Sequence, residues 1–254
     1  MALVRCRFMS EVLEVGTSMT VLLPQAGETQ VGVETSAAVH GDFPVLYLLH
    51  GLTDDSTAWQ RFTGIERYAA ARGLAVVMPE VGRSFYADEP HGGAYWTFLS
   101  EELPSVVGSF FRVSQGREDT FVAGLSMGGY GALKWALRQP ARFAAAASLS
   151  GALDVVALSA EPDRLELFQR VFGDDIPAED DLFTLLRDAD PDALPALYLG
   201  CGTEDHLFGS TDRFVAAVRA LGLHPRVDLR PGEHEWGLWD RVIADVVSWL
   251  PLRR

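Results

Sequence analysis

The stretch Phe121–Leu137, "FVAGLSMGGYGALKWAL", changes from a strand pattern to a helix pattern around a single serine. Its first residues form a short apolar run typical of a buried strand, and a helical pattern begins at Tyr130. Between them, Gly124, Ser126 and Gly128 have the spacing G-x-S-x-G. Residues without a Cβ on both sides of the turn let the strand reverse into the helix and push the serine hydroxyl outward. The stretch therefore predicts a nucleophilic serine at a strand–helix turn.

Short apolar strands alternate with amphipathic helices along the rest of the chain. The predicted strands are residues 3–9, 17–23, 45–49, 74–79, 121–123, 142–151, 193–202 and 224–232. The predicted helices include residues 56–73, closed by Gly73, residues 97–111 around Pro104, and residues 235–250. This alternation indicates an α/β fold with a mainly parallel sheet and helices on both faces, which binds ligands beyond the carboxyl ends of its strands.

The length and the 48% hydrophobic content suit one sizeable core, so we expect residues 1–254 to form one domain. Residues 152–194 are too long for a simple crossover, and we expect them to form a cap-like insertion with extra helices over the active site. Within it, "DDIPAEDDLFTLL" is typical of a capped helix start with Pro177 near the first turn.

The composition excludes several classes of partner. A net charge of −14 argues against binding to nucleic acid or to an anionic membrane, and no segment has the length of a transmembrane helix. The N-terminal residues lack the apolar core of a signal peptide, and the two cysteines form no disulfide framework, so a cytoplasmic location is expected. The partner we expect is a small-molecule ester, and the sequence leaves self-association as a homo-oligomer open.

A base and an acid follow two later strands. Glu204 and Asp205 come after "ALYLGCG", and His234 comes after "RVDLRPG". The chain order Ser126, acid, His234 is that of an α/β-hydrolase triad, and the carboxyl ends of parallel strands converge at one edge of the sheet. Asp205 is favoured over Glu204 by its position, and Asp154 after the preceding strand is a weaker alternative.

Other candidate residues surround this predicted triad. The backbone N–H groups of Leu52, after a His-Gly turn, and of Met127 are in position to form an oxyanion hole, with the dipole of the following helix adding to the effect. His50 is expected to shape the turn through hydrogen bonds. No pair of histidines has metal-ligand spacing alongside a carboxylate or cysteine, so no metal and no cofactor are predicted. We expect the substrate pocket to be lined by Trp59, Tyr130, His206 and Trp236. For Trp59, Tyr130 and Trp236, packing in the core is an equally good explanation.

Four segments together resemble the esterase D-like branch of the α/β-hydrolases: "YLLHGLTDDSTAWQR", "AGLSMGGYGALKWAL", "LYLGCGTEDHLF" and "PGEHEWGLWD". The resemblance covers nearly the whole chain and is greatest to small bacterial tributyrin or acetyl esterases. It implies an α/β-hydrolase fold in which Ser126 is the nucleophile, Asp205 the acid and His234 the base, with Leu52 and Met127 at the oxyanion hole. The chain departs from the family at His206, where an aromatic residue is more common, and at Glu233, where glycine is common.

The resemblance implies a serine carboxylesterase that hydrolyses short acyl esters, acetyl to butyryl, through an acyl-enzyme. An S-formylglutathione hydrolase is the second interpretation. It ranks below the carboxylesterase because that branch has "SFGHSMGGHGA" around the serine, whereas this chain has "VAGLSMGGYGA". An acetyl-carbohydrate or feruloyl esterase ranks third, since the sequence shows no secretion signal. A binding module without catalysis is disfavoured because the serine, the acid, the histidine and the oxyanion loop are all present.

Overall fold

Eight strands pair into one sheet in the computed structural model, which describes residues 1–27, 31, 35–36 and 41–253. The strands are β1 (Ala2–Ser10), β2 (Val15–Leu23), β3 (Val45–Leu49), β4 (Ala75–Pro79), β5 (Thr120–Leu125), β6 (Ala145–Leu149), β7 (Ala196–Gly202) and β8 (Arg226–Arg230). They lie in the order β1-β2-β4-β3-β5-β6-β7-β8. β1 pairs antiparallel with β2, and β2 antiparallel with β4, whereas all pairs from β4 to β8 are parallel. The prediction of a mainly parallel sheet is confirmed.

The helices connect these strands and cover both faces of the sheet. They are α1 (Ala58–Phe62), α2 (Ile65–Arg72), α3 (Tyr95–Thr97), α4 (Leu103–Phe110), α5 (Met127–Arg138), α6 (Val155–Ser159), α7 (Leu165–Phe172), α8 (Leu182–Asp188), α9 (Phe208–Ala220) and α10 (Trp236–Trp249). A π-helical turn, Phe98–Glu102, joins α3 to α4. All residues of β3 and β5 are buried, as expected for strands covered on both sides. One face packs against α5 and α9, the other against α2 and α10.

Two helix boundaries differ from the sequence-based expectation. The helix predicted over 56–73 is divided into α1 and α2 at Gly64, whose N–H donates to Asp240 Oδ1 of α10 at 2.7 Å. In the insertion, α8 begins after Asp181, whose carboxylate accepts from the N–H of Phe183 at 3.1 Å, and Pro177 precedes a separate 3₁₀ turn. In both places a specific side-chain contact fixes the boundary, and the local pattern did not reveal that contact.

A buried ion pair ties the insertion to α5. Lys134 Nζ is fully buried, donates to the carbonyl oxygen of Tyr86 at 2.8 Å and contacts the Asp180 carboxylate. Tyr130, one turn earlier on α5, donates its hydroxyl to the backbone carbonyl of Asp180 at 2.7 Å. Burial lowers the pKa of Lys134 to about 8, although the charge of Asp180 opposes this shift. These contacts hold the turn at 178–180 against the helix that follows Ser126.

Asp180→Asn is expected to lower the free energy of unfolding by about 3–5 kcal/mol at neutral pH, because the Lys134 charge stays buried without its partner. The folded pKa of Lys134, about 8, lies below the unfolded value of 10.5. The unfolded chain therefore binds more protons between these values, and stability contributed by this group rises with pH in that window. Urea unfolding of both proteins at about pH 7 and about pH 10 should show a smaller loss at the higher pH. Asp188→Asn, at an exposed position of α8, is the matched control, and an equal loss in both variants would contradict the expectation.

Candidate active site

The turn between β5 and α5 presents Ser126 at the carboxyl edge of the sheet. Ser126 has a φ of 53°, in the left-handed region that non-glycine residues rarely adopt. The two flanking glycines are required by close packing, since a Cβ on Gly124 would lie 2.2 Å from the carbonyl oxygen of Gly128. A Cβ on Gly128 would lie 2.3 Å from the carbonyl oxygen of Leu49. The G-x-S-x-G spacing therefore follows from a strained turn packed tightly against the neighbouring strand.

Three side chains from three separate loops meet at this edge. The Ser126 hydroxyl oxygen lies 3.1 Å from His234 Nε2. His234 Nδ1 lies 2.8 Å from Asp205 Oδ2 on its other side. Both distances are within hydrogen-bond range, so the histidine can accept the serine proton while the carboxylate holds its other ring nitrogen.

Asp205 has the environment of a buried, ionised carboxylate. Burial alone would raise its pKa, but hydrogen bonds from His234, from the N–H of Leu207 and from Ser150 outweigh this and hold the pKa below its usual range. The two alternative acids lie elsewhere. Glu204 accepts from the N–H of Gly232, and Asp154 caps α6. Of the three candidate acids, only Asp205 contacts His234 in the described structure.

Ser150 is a positioning residue that the sequence interpretation missed. It is fully buried directly after β6, has a φ of 47°, and its N–H donates to the carbonyl oxygen of Gly200 at 2.7 Å. Its hydroxyl accepts from Trp239 Nε1 at 3.1 Å and helps to keep the pKa of Asp205 low. Trp239 in turn packs edge-on against the His234 ring, with centroids 4.8 Å apart. Ser150 and Trp239 thus support both the carboxylate and the imidazole.

Ser150→Ala is expected to lower kcat by about tenfold with little change in KM, since it removes a hydroxyl that helps to keep the pKa of Asp205 low and that accepts from Trp239, without touching the substrate. Steady-state kinetics on a short-chain ester provide the measurement. Ser148→Ala is the matched control, because Ser148 is a buried serine of β6 whose hydroxyl bonds to no other described residue. Equal kcat values for the two variants would argue against a positioning role.

The turn after β3 holds one side of the oxyanion hole. His50 is buried and accepts from the N–H of Val81 at Nε2, at 3.3 Å, which places its ring proton on Nδ1. Nδ1 then donates to the carbonyl oxygen of Gly51 at 2.7 Å and orients the peptide that carries the Leu52 N–H. Within the part of the chain that the structure describes, the N–H groups of Leu52 and Met127 have no protein acceptor. Both residues line the cavity beside Ser126, as an oxyanion hole requires.

A cavity of about 350 Å³ opens at Ser126. Its apolar and aromatic lining is formed by Phe85, Leu125, Ala152, Leu158, Leu207, Trp236 and Trp239. Ala152, Leu158 and Arg164 come from the insertion, which therefore forms part of the wall. Of the four predicted pocket residues, His206 and Trp236 line the cavity.

The pocket positions expected for Trp59 and Tyr130 are wrong. Trp59 is 1% exposed and donates from Nε1 to the carbonyl oxygen of Leu49 at 2.9 Å, so it supports the end of β3 from beneath. Tyr130 is fully buried, and its hydroxyl donates a hydrogen bond to the backbone carbonyl of Asp180 in the insertion. Each ring is large and apolar and its one polar group already has a partner, so burial in the core is favourable.

His206 lies beside the triad and is more than half exposed along its side chain. Its ring packs edge-on against that of His234, with centroids 4.7 Å apart. Partial burial lowers the pKa of His206, and the nearby His234 adds to the effect, so the ring is neutral at neutral pH. Glu233, the other departure from the family pattern, is exposed.

Comparisons with known proteins agree with this geometry. Residues 26–250 match the model of a protein family described as "Putative esterase". An acetyl esterase of Caldicellulosiruptor saccharolyticus is 28% identical over 98% of both chains. A fluorophosphonate-binding serine hydrolase of Staphylococcus aureus, FphF, is 30% identical, with a TM-score of 0.89 over 99% of both chains. An S-formylglutathione hydrolase of the same species is also 30% identical, with a TM-score of 0.84 over 99% of both chains.

Proposed function

Because the chain belongs to the esterase family and is a carboxylic ester hydrolase of the α/β-hydrolase fold, we propose that it is a serine carboxylesterase specific for short acyl groups. The observation that carries this proposal is the continuous hydrogen-bonded chain from Ser126 through His234 to Asp205, at the floor of a small cavity. The cavity of about 350 Å³ has an apolar lining that can receive an acyl chain, and the likeness to an acetyl esterase supports a short one, acetyl to butyryl.

The reaction proceeds in two halves. His234 takes the proton of Ser126 as the hydroxyl attacks the ester carbonyl, and the N–H groups of Leu52 and Met127 stabilise the oxyanion. His234 then gives the proton to the leaving alcohol, and an acyl group remains on Ser126. Water, deprotonated by the same histidine, releases the acid and restores the serine. Asp205 keeps His234 in the tautomer that both halves need.

A thioesterase acting on S-formylglutathione is the second candidate. It uses the same residues, and the likeness to the S. aureus S-formylglutathione hydrolase favours it. Ester and thioester carbonyls meet the same nucleophile and oxyanion hole, so the leaving group is what distinguishes the two functions.

A substrate series tests the proposal. kcat/KM for p-nitrophenyl esters from acetate to decanoate is expected to be highest for acetate to butyrate and to fall for longer chains. S-formylglutathione, measured in parallel, decides between the candidates, because a strong preference for it would support the thioesterase. Failure to hydrolyse any of these substrates would contradict both.

A small-molecule ester is the only partner that we propose, since the net charge of −14 opposes contact with nucleic acid and anionic lipid. No helix among the described residues combines the length and apolarity needed to cross a bilayer. The cytoplasm is the proposed location, and the free thiols of Cys6 and Cys201 are consistent with a reducing compartment.

A further inference from the structure

Three side chains that can ligate a metal ion meet at the cavity: Asp205, His206 and His234. One ligand atom from each lies within 4.8 Å of those of the other two. His206 Nδ1 is 3.5 Å from Asp205 Oδ1, and His234 Nδ1 is 2.8 Å from Asp205 Oδ2. Two imidazoles and one carboxylate are ligands that Zn²⁺ takes in proteins, with the fourth position left to water.

One pair of these ligand atoms already has the separation that a bound ion requires. Ligand atoms around tetrahedral Zn²⁺ lie about 3.4 Å apart, given metal–ligand distances of about 2.1 Å. His206 Nδ1 and Asp205 Oδ1, 3.5 Å apart, already match this value. His234 Nδ1 lies 2.8 Å from the other carboxylate oxygen, so its ring has to move away from Asp205 to bind the same ion. The His206 side chain is 57% exposed, whereas the Asp205 side chain is fully enclosed. An ion from solvent therefore meets His206 first, and it reaches the carboxylate once the His206 ring turns aside.

We propose that Asp205, His206 and His234 form an inhibitory binding site for Zn²⁺ and chemically similar transition-metal ions. The binding itself is independent of the proposed function, and only its inhibitory consequence rests on that function. The expectation that the protein has no resident metal is unaffected and stays a prediction, since an inhibitory ion is not a cofactor. No spacing pattern in the chain indicates this site, because His234 is distant in sequence from the other two ligands.

Inhibition follows whichever ring nitrogen of His234 binds the ion. An ion on Nε2 occupies the lone pair that accepts the proton of Ser126. An ion on Nδ1 leaves the ring proton on Nε2, which then has no lone pair to offer, and it also separates the ring from Asp205. In both arrangements the general base is lost while the fold and the oxyanion hole stay intact.

His206 determines whether the ion is retained. Asp205 and His234 alone provide two ligands, which is the set that any Ser-His-Asp triad has. The third ligand, His206, stands where the esterases that this chain resembles more often have an aromatic side chain. Sensitivity to Zn²⁺ is therefore expected to depend on this one side chain.

Inhibition of p-nitrophenyl acetate hydrolysis by ZnCl₂ is the first test, with each protein normalised to its own metal-free rate. The wild-type protein is expected to be inhibited by Zn²⁺, to recover with EDTA, and to be unaffected by Mg²⁺, which prefers oxygen ligands. His206→Ala is expected to raise the inhibitory concentration by at least about tenfold, because one of three ligands is lost. His91→Ala, at an exposed histidine outside the cluster, should leave it unchanged. Equal sensitivity of the wild type and His206→Ala would overturn the proposal.

Calorimetric titration of Zn²⁺ into the Ser126→Ala variant tests binding without any need for catalysis. Comparison with Ser126→Ala/His206→Ala is expected to show at least about tenfold weaker binding in the double variant. Equal affinities, or no binding in Ser126→Ala, would overturn the site. Because this readout is independent of turnover, failure of the metal site and failure of the proposed esterase function give different results.

Discussion

Replacing Ser126 with alanine is expected to lower kcat for a short-chain ester by about 10⁴- to 10⁶-fold, because among the residues that the structure describes only Ser126 has its hydroxyl beside His234 Nε2. His234 Nε2 lies 3.1 Å from the Ser126 hydroxyl oxygen, so the alanine variant loses the hydroxyl whose proton this nitrogen accepts. The alanine variant retains only what the oxyanion hole and substrate binding can do with water as the nucleophile. The measurement is the initial rate with p-nitrophenyl acetate, together with intact-mass detection of an acyl adduct in the wild type.

Two further proteins make this result interpretable. Ser109→Ala, at an exposed serine of α4, should retain the wild-type rate and accumulate the same adduct. The unfolding midpoint of Ser126→Ala should be no lower than that of the wild type, since alanine is smaller and the site lies at a cavity. An adduct on the alanine variant, or a rate close to that of the wild type, would show that another residue is the nucleophile.

Replacing Asp205 with asparagine is expected to lower kcat by about 10⁴-fold with a small change in KM. The amide is nearly the same shape as the carboxylate, but it cannot stabilise the imidazolium that forms when His234 accepts the serine proton. Its NH₂ group also favours the wrong tautomer of the ring. Steady-state kinetics on the same ester, with circular dichroism as a check of folding, provide the measurement.

Glu204→Gln is the matched control for this prediction. Glu204 is the adjacent acid, is exposed, and accepts from the N–H of Gly232 without contacting His234. Its variant is expected to keep kcat within a few-fold of the wild type. If Glu204→Gln lost as much activity as Asp205→Asn, the assignment of the acid by geometry would be wrong.

The order of strands and helices is readable from the sequence because each element carries its own local pattern. The central strands are buried on both faces and are therefore uniformly apolar over their full length, as in β3. The interruption at Gly64 was not predicted because it depends on Asp240, a residue more than 170 positions away. The start of α8 is set by a local cap, Asp181, which the pattern does not distinguish from the other acids in "DDIPAEDDLFTLL".

The reactive residues of the site are easier to recognise than the residues that support them. Ser126 and His234 lie at strand ends in a fixed chain order, and the parallel sheet brings these ends together. Ser150 has no such pattern, since a serine at the end of a strand is common and its importance arises from a hydrogen bond to a distant loop. Trp59 was wrongly assigned to the pocket because closeness in sequence to the oxyanion turn does not reveal on which side of the strand a ring lies.

The burial of Lys134 has a practical consequence for chemical labelling. It is the single lysine of the chain, and its ε-amine is fully enclosed by Asp180, Tyr86 and the aromatic ring of Trp96. Amine-reactive dyes and cross-linkers should therefore leave the side chains of the folded protein untouched. The rate at which Lys134 acquires such a label would report how often this part of the molecule opens, and no engineered probe would be needed.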